Sequence, residues 1–126
     1  MIFPEDFYEY LNQNSLVGIK GGLERPTFLE IWMVEVDKRI FARSWNKSER
    51  SWFTKFQEVG VGQIQYGDNI LSVKGEKLPH EAELTELINQ AYLTKYNTKE
   101  NLFYSQGITQ PEYFDYTMEF FYDEIL

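Results

Sequence analysis

Residues 28–36, FLEIWMVEV, constrain the fold more than any other stretch: the run is rich in β-branched and aromatic side chains, and Glu30 and Glu35 are its only charges. Such a run reads as a central strand with little exposed surface. Asp37-Lys38 is a hairpin-sized break, and Arg39 to Trp45 reads as a second strand. Alternation puts Phe41, Arg43 and Trp45 on one face of that strand and Ile40, Ala42 and Ser44 on the other. Arg43 therefore stands in line with two aromatics.

The flanking pattern predicts an α+β domain. Pro4 followed by Glu5 and Asp6 suits a helix start, because proline fits the first turn and acids favour its positive end. Phe3, Phe7, Tyr10 and Leu11 continue it at helical spacing to Asn12–Asn14. Leu16 to Lys20 is a short strand, broken by Gly21-Gly22, with Arg25-Pro26 in the loop that follows. After a polar loop at Asn46–Glu49, Ser51 caps a short helix carrying Trp52, Phe53 and Phe56. Gly67-Asp68 is a turn between strands Gly60–Tyr66 and Asn69–Gly75. Glu81 to Tyr96 predicts the clearest helix, with Leu84, Leu87, Ile88, Ala91, Tyr92 and Tyr96 on one stripe. Tyr113 to Tyr122 alternates as a half-buried strand, with Phe114, Tyr116, Met118, Phe120 and Tyr122 on one face. The sum is five or six mostly antiparallel strands with flanking helices.

Composition excludes much chemistry. A chain of 126 residues fits a single domain spanning 1–126. With no cysteine and one histidine, His80, there is no disulfide, thiolate catalysis, Cys-ligated metal or multi-histidine site. Zero cysteines also suit a reducing compartment, and the start of the chain lacks the pattern of a signal peptide, so the expected location is cytoplasmic. Net charge −8 and a pI near 4.6 oppose binding to nucleic acid and to anionic membranes.

Against that acidic background, residues 38–56 hold six of the twelve basic side chains, with Glu49 as the only acid among them. One reading is a surface whose bases balance nearby acids, with Trp45 and Trp52 in the core; the other is an anion site. Lys95-Tyr96 likewise reads as a core tyrosine beside a lysine at the negative end of the helix, or as a proton-donor pair. His80, where the long helix begins, reads as a capping or surface residue. Gly60-Val61-Gly62 lacks the third glycine and following helix of a dinucleotide loop. Glu30 and Glu35 lie on opposite faces of their strand and form no carboxylate pair.

The ordered set R25-P26-T27, I31-W32-x-V34-x-V36, F41-A42-R43-S44-W45, W52, I64 to G67, V73 and I88-x-x-A91-Y92-x-x-K95-Y96 resembles the bacterial family called domain of unknown function 2255, over about Arg25 to Phe121. The pairing of RSW with the later AY..KY is its most specific part. The chain departs from the family in its longer acidic end and in having no glycine after Trp45. Members of that family resemble the split β-barrel (FMN-binding-like) of flavin reductases, pyridoxamine-phosphate oxidases and deazaflavin-dependent nitroreductases. The resemblance implies FMN or a deazaflavin as cofactor, a flavin- or deazaflavin-dependent oxidoreductase, and a homodimer; a non-catalytic ligand-binding or protein-interaction barrel is the alternative. It also implies site residues: Arg43 and Ser44 as phosphate donors with the capped helix start at Ser51, Lys55 as a point charge, and Trp45 or Trp52 stacking on a ring.

Overall fold

The computed structural model describes residues 2–45 and 51–123; the loop expected at Asn46–Glu49 lies outside them. Seven strands form one sheet: β1 (Val17–Gly21), β2 (Leu29–Ile31), β3 (Val34–Val36), β4 (Arg39–Arg43), β5 (Val61–Tyr66), β6 (Asn69–Lys77) and β7 (Thr117–Tyr122). Their spatial order is β2-β1-β5-β6-β7-β4-β3. All six pairings are antiparallel. Four helices accompany them: α1 (Glu5–Gln13), α2 (Trp52–Val59), α3 (Ala82–Lys95) and α4 (Lys99–Ile108).

The long apolar run is not one central strand. It breaks at Trp32–Met33, and its halves β2 and β3 are the two outermost strands of the sheet. Ile31 and Val34 are three peptide links apart, so the two edges lie within roughly 11 Å of each other. The sheet must therefore curl, and it does so as a half-barrel. Only Met33 and Val34 of the run are buried, and Leu29 on the outermost strand is 59% exposed, so the expectation of little exposed surface is corrected as well.

One apolar cluster fills the inside of the curl. Val17, Ile19, Ile40, Ala42, Ile64, Val73, Met118 and Phe120 meet Phe7, Tyr8 and Leu11 of α1 and Trp52, Phe53 and Phe56 of α2. The Phe56 ring needs glycine on two strands. A methyl at Gly62 would overlap the Lys20 carbonyl and the Phe56 ring, and one at Gly75 would come 2.5 Å from Phe56 Cδ1 and 2.8 Å from Met118 Sδ. A second cluster lies on the outer face of β3 and β4, where Val34 and Phe41 pack against Leu84, Ile88, Tyr92, Tyr96 and Ile108 of α3 and α4. The faces expected for β4 thus hold: Ile40 and Ala42 point into the curl, Phe41 and Arg43 toward the helices. The β3–β4 hairpin is a two-residue turn with Asp37 and Lys38 both at positive φ (50° and 69°), matching the right-handed twist of its strands.

One further expectation is corrected, and one helix had none. Tyr113–Tyr122 is not a single strand: Pro111–Tyr116 form a 3-10 helix and only Thr117–Tyr122 extend. Pro111 starts that helix, which ranks above the polar-apolar alternation of the following side chains. Helix α4 had no sequence expectation, because it buries only Ser105 and Ile108 and leaves Leu102, Phe103 and Tyr104 exposed, so no apolar stripe marks it.

The end of α3 holds the break between β2 and β3. The Tyr96 hydroxyl accepts from the Met33 backbone N–H (3.1 Å) and donates to the Ser15 carbonyl (2.7 Å). Lys95 Nζ donates to the Met33 carbonyl at 2.8 Å. Trp32 lies flat on Tyr96, with centroids 3.9 Å apart and planes 6° from parallel. Lys95 and Tyr96 are therefore a structural clasp in this fold. Burial lowers the Lys95 ammonium to about 8, with Glu35 opposing the shift.

Three outcomes follow from this packing. Gly62→Ala is expected to cost about 2–3 kcal/mol in urea unfolding, since the barrel interior has no room to relax. Tyr96→Phe should cost about 1–3 kcal/mol by leaving the Met33 N–H and Ser15 carbonyl unpaired. Stability should also depend on pH above neutrality. Between the folded value near 8 and the ordinary 10.5, unfolded Lys95 keeps a proton that the folded chain sheds, so stability rises with pH. Above 10 it falls, because burial pushes the Tyr92 and Tyr66 hydroxyls up to about 12 and the folded chain keeps protons that unfolded tyrosines lose. Urea midpoints measured across this range should show the rise in the unmodified chain and not in Lys95→Met.

Candidate functional site

Strand β4 carries the chain to the rim of the half-barrel. Ser44 extends its ladder by donating its backbone N–H to the Tyr116 carbonyl at 3.0 Å, and Trp45 then emerges to 44% exposure. The chain returns at Ser51, whose Oγ accepts from the Thr54 N–H at 3.1 Å and caps α2 as expected. The segment before β2, running through Arg25, Thr27 and Phe28, faces these two from across the rim.

Between them lies a cavity of about 520 Å³, within the usual range for small-molecule sites. Phe28, Trp32, Trp45 and Trp52 supply aromatic wall; Arg25, Thr27, Glu30, Arg43, Ser44 and Ser51 supply the polar wall. Five of the six residues expected at a site, Arg43, Ser44, Trp45, Ser51 and Trp52, line this one cavity. Lys55 does not line it; its stem packs against Gly21 and Gly22, and its ammonium lies 3.8 Å from Glu58. Trp52 is 4% exposed, its ring packed against Phe53, Phe56 and Phe120, so the more open indole on this wall is that of Trp45. Thr27 and Trp32 were legible as members of the quoted motifs but not as site residues; Phe28 and Ile108 carried no signal beyond being apolar.

Arg43 is the unusual member. It is 3% exposed, and its guanidinium is held by neutral groups: Nε donates to Thr117 Oγ1 (3.0 Å), one terminal nitrogen to Asn89 Oδ1 (2.5 Å) and the Ile108 carbonyl (3.2 Å), the other to the Thr85 carbonyl (3.5 Å). Four acceptors meet five N–H donors. The Phe114 ring lies 5.1 Å from the guanidinium carbon and the Tyr92 ring 5.8 Å. None of the ion pairs among the described residues involves Arg43. Burial lowers its proton affinity, opposed by Tyr92, so the charge sits in the wall of the cavity with no carboxylate paired to it among the described residues.

The same residue explains the spacing of the two sequence motifs. The Tyr92 hydroxyl accepts the Arg43 backbone N–H at 2.8 Å, so β4 is anchored to α3 at the point where it enters the rim. One turn later Lys95 and Tyr96 hold Met33. The RSW and AY..KY segments are thus two halves of one contact surface between rim and helix. His80 stands apart, stacked on Phe114 at 5.8 Å.

Among the described residues no group of three or more His, Asp or Glu side chains is placed to hold a metal, and no helix is long and apolar enough to cross a membrane. A comparison with curated proteins gives no match. Residues 20–120 match the family model described as "Uncharacterized protein conserved in bacteria (DUF2255)", and the chain belongs to that family.

Proposed function

We propose that the rim cavity binds a phosphorylated planar aromatic cofactor, FMN or a deazaflavin, and that the chain works as an oxidoreductase with it. The observation that supports this reading is the buried Arg43 charge, paired with no carboxylate among the described residues, in the wall of an aromatic-lined cavity. A buried cation of this kind is stabilised by an anion brought to it. Ser44 and Ser51 add hydroxyl donors, and the amino-terminal end of α2 adds its partial positive charge. Phe28, Trp32 and Trp45 offer ring faces for an aromatic ligand.

The roles divide by environment. Arg43 is fixed by four protein acceptors and so acts by its charge and by holding the rim, not as a flexible arm. Trp32 is backed by Tyr96 and gives a rigid wall. The cofactor, when bound, would supply the electron transfer, while the protein supplies grip, stacking and exclusion of water. A homodimer belongs to the same reading, with a second copy closing the open side of the rim.

Fluorescence titration with FMN and with a deazaflavin tests it. Saturable quenching is expected, and Arg43→Gln should weaken it by about 1.5–3 kcal/mol, the worth of a hydrogen bond to a charged group. Because Arg43 is buried, Ser44→Ala serves as a second variant and should weaken binding without changing the unfolding midpoint by more than about 1 kcal/mol. Lys38→Ala should leave affinity nearly unchanged, since Lys38 lies in the β3–β4 turn against the Tyr8 ring. If neither ligand binds the unmodified protein, the chain is a non-catalytic binding module.

A further inference from the structure

The second half of α3, strand β3 with its turn, and the end of α1 border a groove of about 500 Å³ that shares no lining residue with the rim cavity. Val34, Val36 and Leu87 give it apolar wall, and Lys95 lines it from α3. Among the described residues that line it, Lys95 is the one cation, and Glu35 and Asp37 are the carboxylates. Lys95 Nζ has a single hydrogen-bond acceptor among the described residues, the Met33 carbonyl at 2.8 Å. The Tyr96 ring centre lies 5.2 Å from it, and none of the ion pairs among the described residues involves it. An ammonium has three N–H donors, so two of them are left without a protein acceptor at the wall of the groove.

We propose that Lys95 is a covalent site for small neutral aldehydes, which it takes up as a Schiff base at the wall of this groove. The nitrogen lone pair attacks the carbonyl carbon and a proton moves to the carbonyl oxygen, giving a carbinolamine. The C–O bond then breaks, water leaves and a protonated imine remains, with nothing oxidised or reduced. The protonated imine keeps one N–H, the number that Lys95 uses to hold Met33, so the tie across the sheet's two edges survives the reaction. It also keeps the positive charge. The attraction of Glu35 for that charge is thus retained in the product, whereas acylation would discard it. Glu35 and Asp37, with the net charge of −8, turn away anionic carbonyl compounds such as oxo acids, while the apolar wall suits an alkyl group. Burial supplies the nucleophile: it lowers Lys95 to about 8, so near pH 7.5 roughly a quarter of the amine is free base, against on the order of 0.1% for an ordinary lysine. The proposal stands independently of what the rim cavity binds.

Propanal is the probe, added to the folded chain near pH 7.5 with sodium cyanoborohydride to trap the imine, and each lysine is followed over time by peptide mapping in a mass spectrometer. The α-amino group labels as well, because its ordinary value is near 8, so the comparison is confined to lysines. Lys95 should label about tenfold faster than the exposed Lys38, Lys74 and Lys77, its larger share of free base outweighing its lower basicity. Glyoxylate, an anionic aldehyde, should lose most of that advantage when its labelling of Lys95 is scaled to the same three lysines. Glu35→Gln should narrow the gap between the two aldehydes, a change that loss of folding would not produce. Chain labelled at Lys95 should keep its urea midpoint to within about 1 kcal/mol, since the nitrogen still donates to Met33. Labelling of Lys95 no faster than of the exposed lysines overturns the proposal, as does equal scaled labelling by propanal and glyoxylate or a gap that Glu35→Gln leaves unchanged. A labelled chain that has lost its cooperative unfolding also overturns it, because the aldehyde would then have entered through an opened fold and not through the groove.

Discussion

Closure of the half-barrel rests on what α3 does to a single backbone unit. Met33 lies where the sheet's two edges meet, and a peptide there has no neighbouring strand to take both its polar groups. Tyr96 accepts its N–H and Lys95 donates to its carbonyl. An unpaired buried peptide group would cost about as much as a lost hydrogen bond on each side. The clasp is what allows one apolar run to serve as both edges of the sheet. Its cost is a lysine held where its charge is poorly solvated, and the hydrogen bond to the carbonyl is the compensation.

Arg43 makes the equivalent link one strand away. Its backbone is tied to Tyr92 and its side chain to α3, to the end of α4 and to β7. The helix layer and the rim are consequently one mechanical unit. Bidentate pairing of Arg39 with Glu119, at 2.9 and 2.8 Å, adds a second fastening between β4 and β7 on the same face.

Much of this was legible in the residues. The Pro4 helix start, the Ser51 cap, the Gly67-Asp68 hairpin and the α3 stripe all follow from local rules, and local rules govern them in the fold. The β4 faces were legible because alternation has a period of two whatever surrounds the strand. What was not legible depended on contacts distant in sequence. Nothing in FLEIWMVEV marks Trp32–Met33 as a break, since the groups that capture it lie on α3 and near Ser15. Helix α4 escaped because its large apolar side chains, Leu102, Phe103 and Tyr104, lie on the exposed side while it buries only Ser105 and Ile108, so no apolar stripe marks the buried face. Of the candidate cavity, the wall formed by Arg43, Ser44, Trp45, Ser51 and Trp52 lies in the segment marked by the cluster of bases and indoles, while the opposite wall at Thr27–Trp32 was hidden by its resemblance to ordinary core.

Strand β7 comes last in the chain yet lies in the interior of the sheet, between β6 and β4. Until it is made, the remaining strands form two separate pieces: the meander β2-β1-β5-β6 and the hairpin β4-β3. Each piece presents an unpaired edge, and open edges are the surfaces on which chains associate wrongly. Joining them requires pairings such as Arg43 with Thr117, which lie far apart in sequence and form slowly. Pairing of β7 with both neighbours therefore joins two pieces with open edges into one curled sheet.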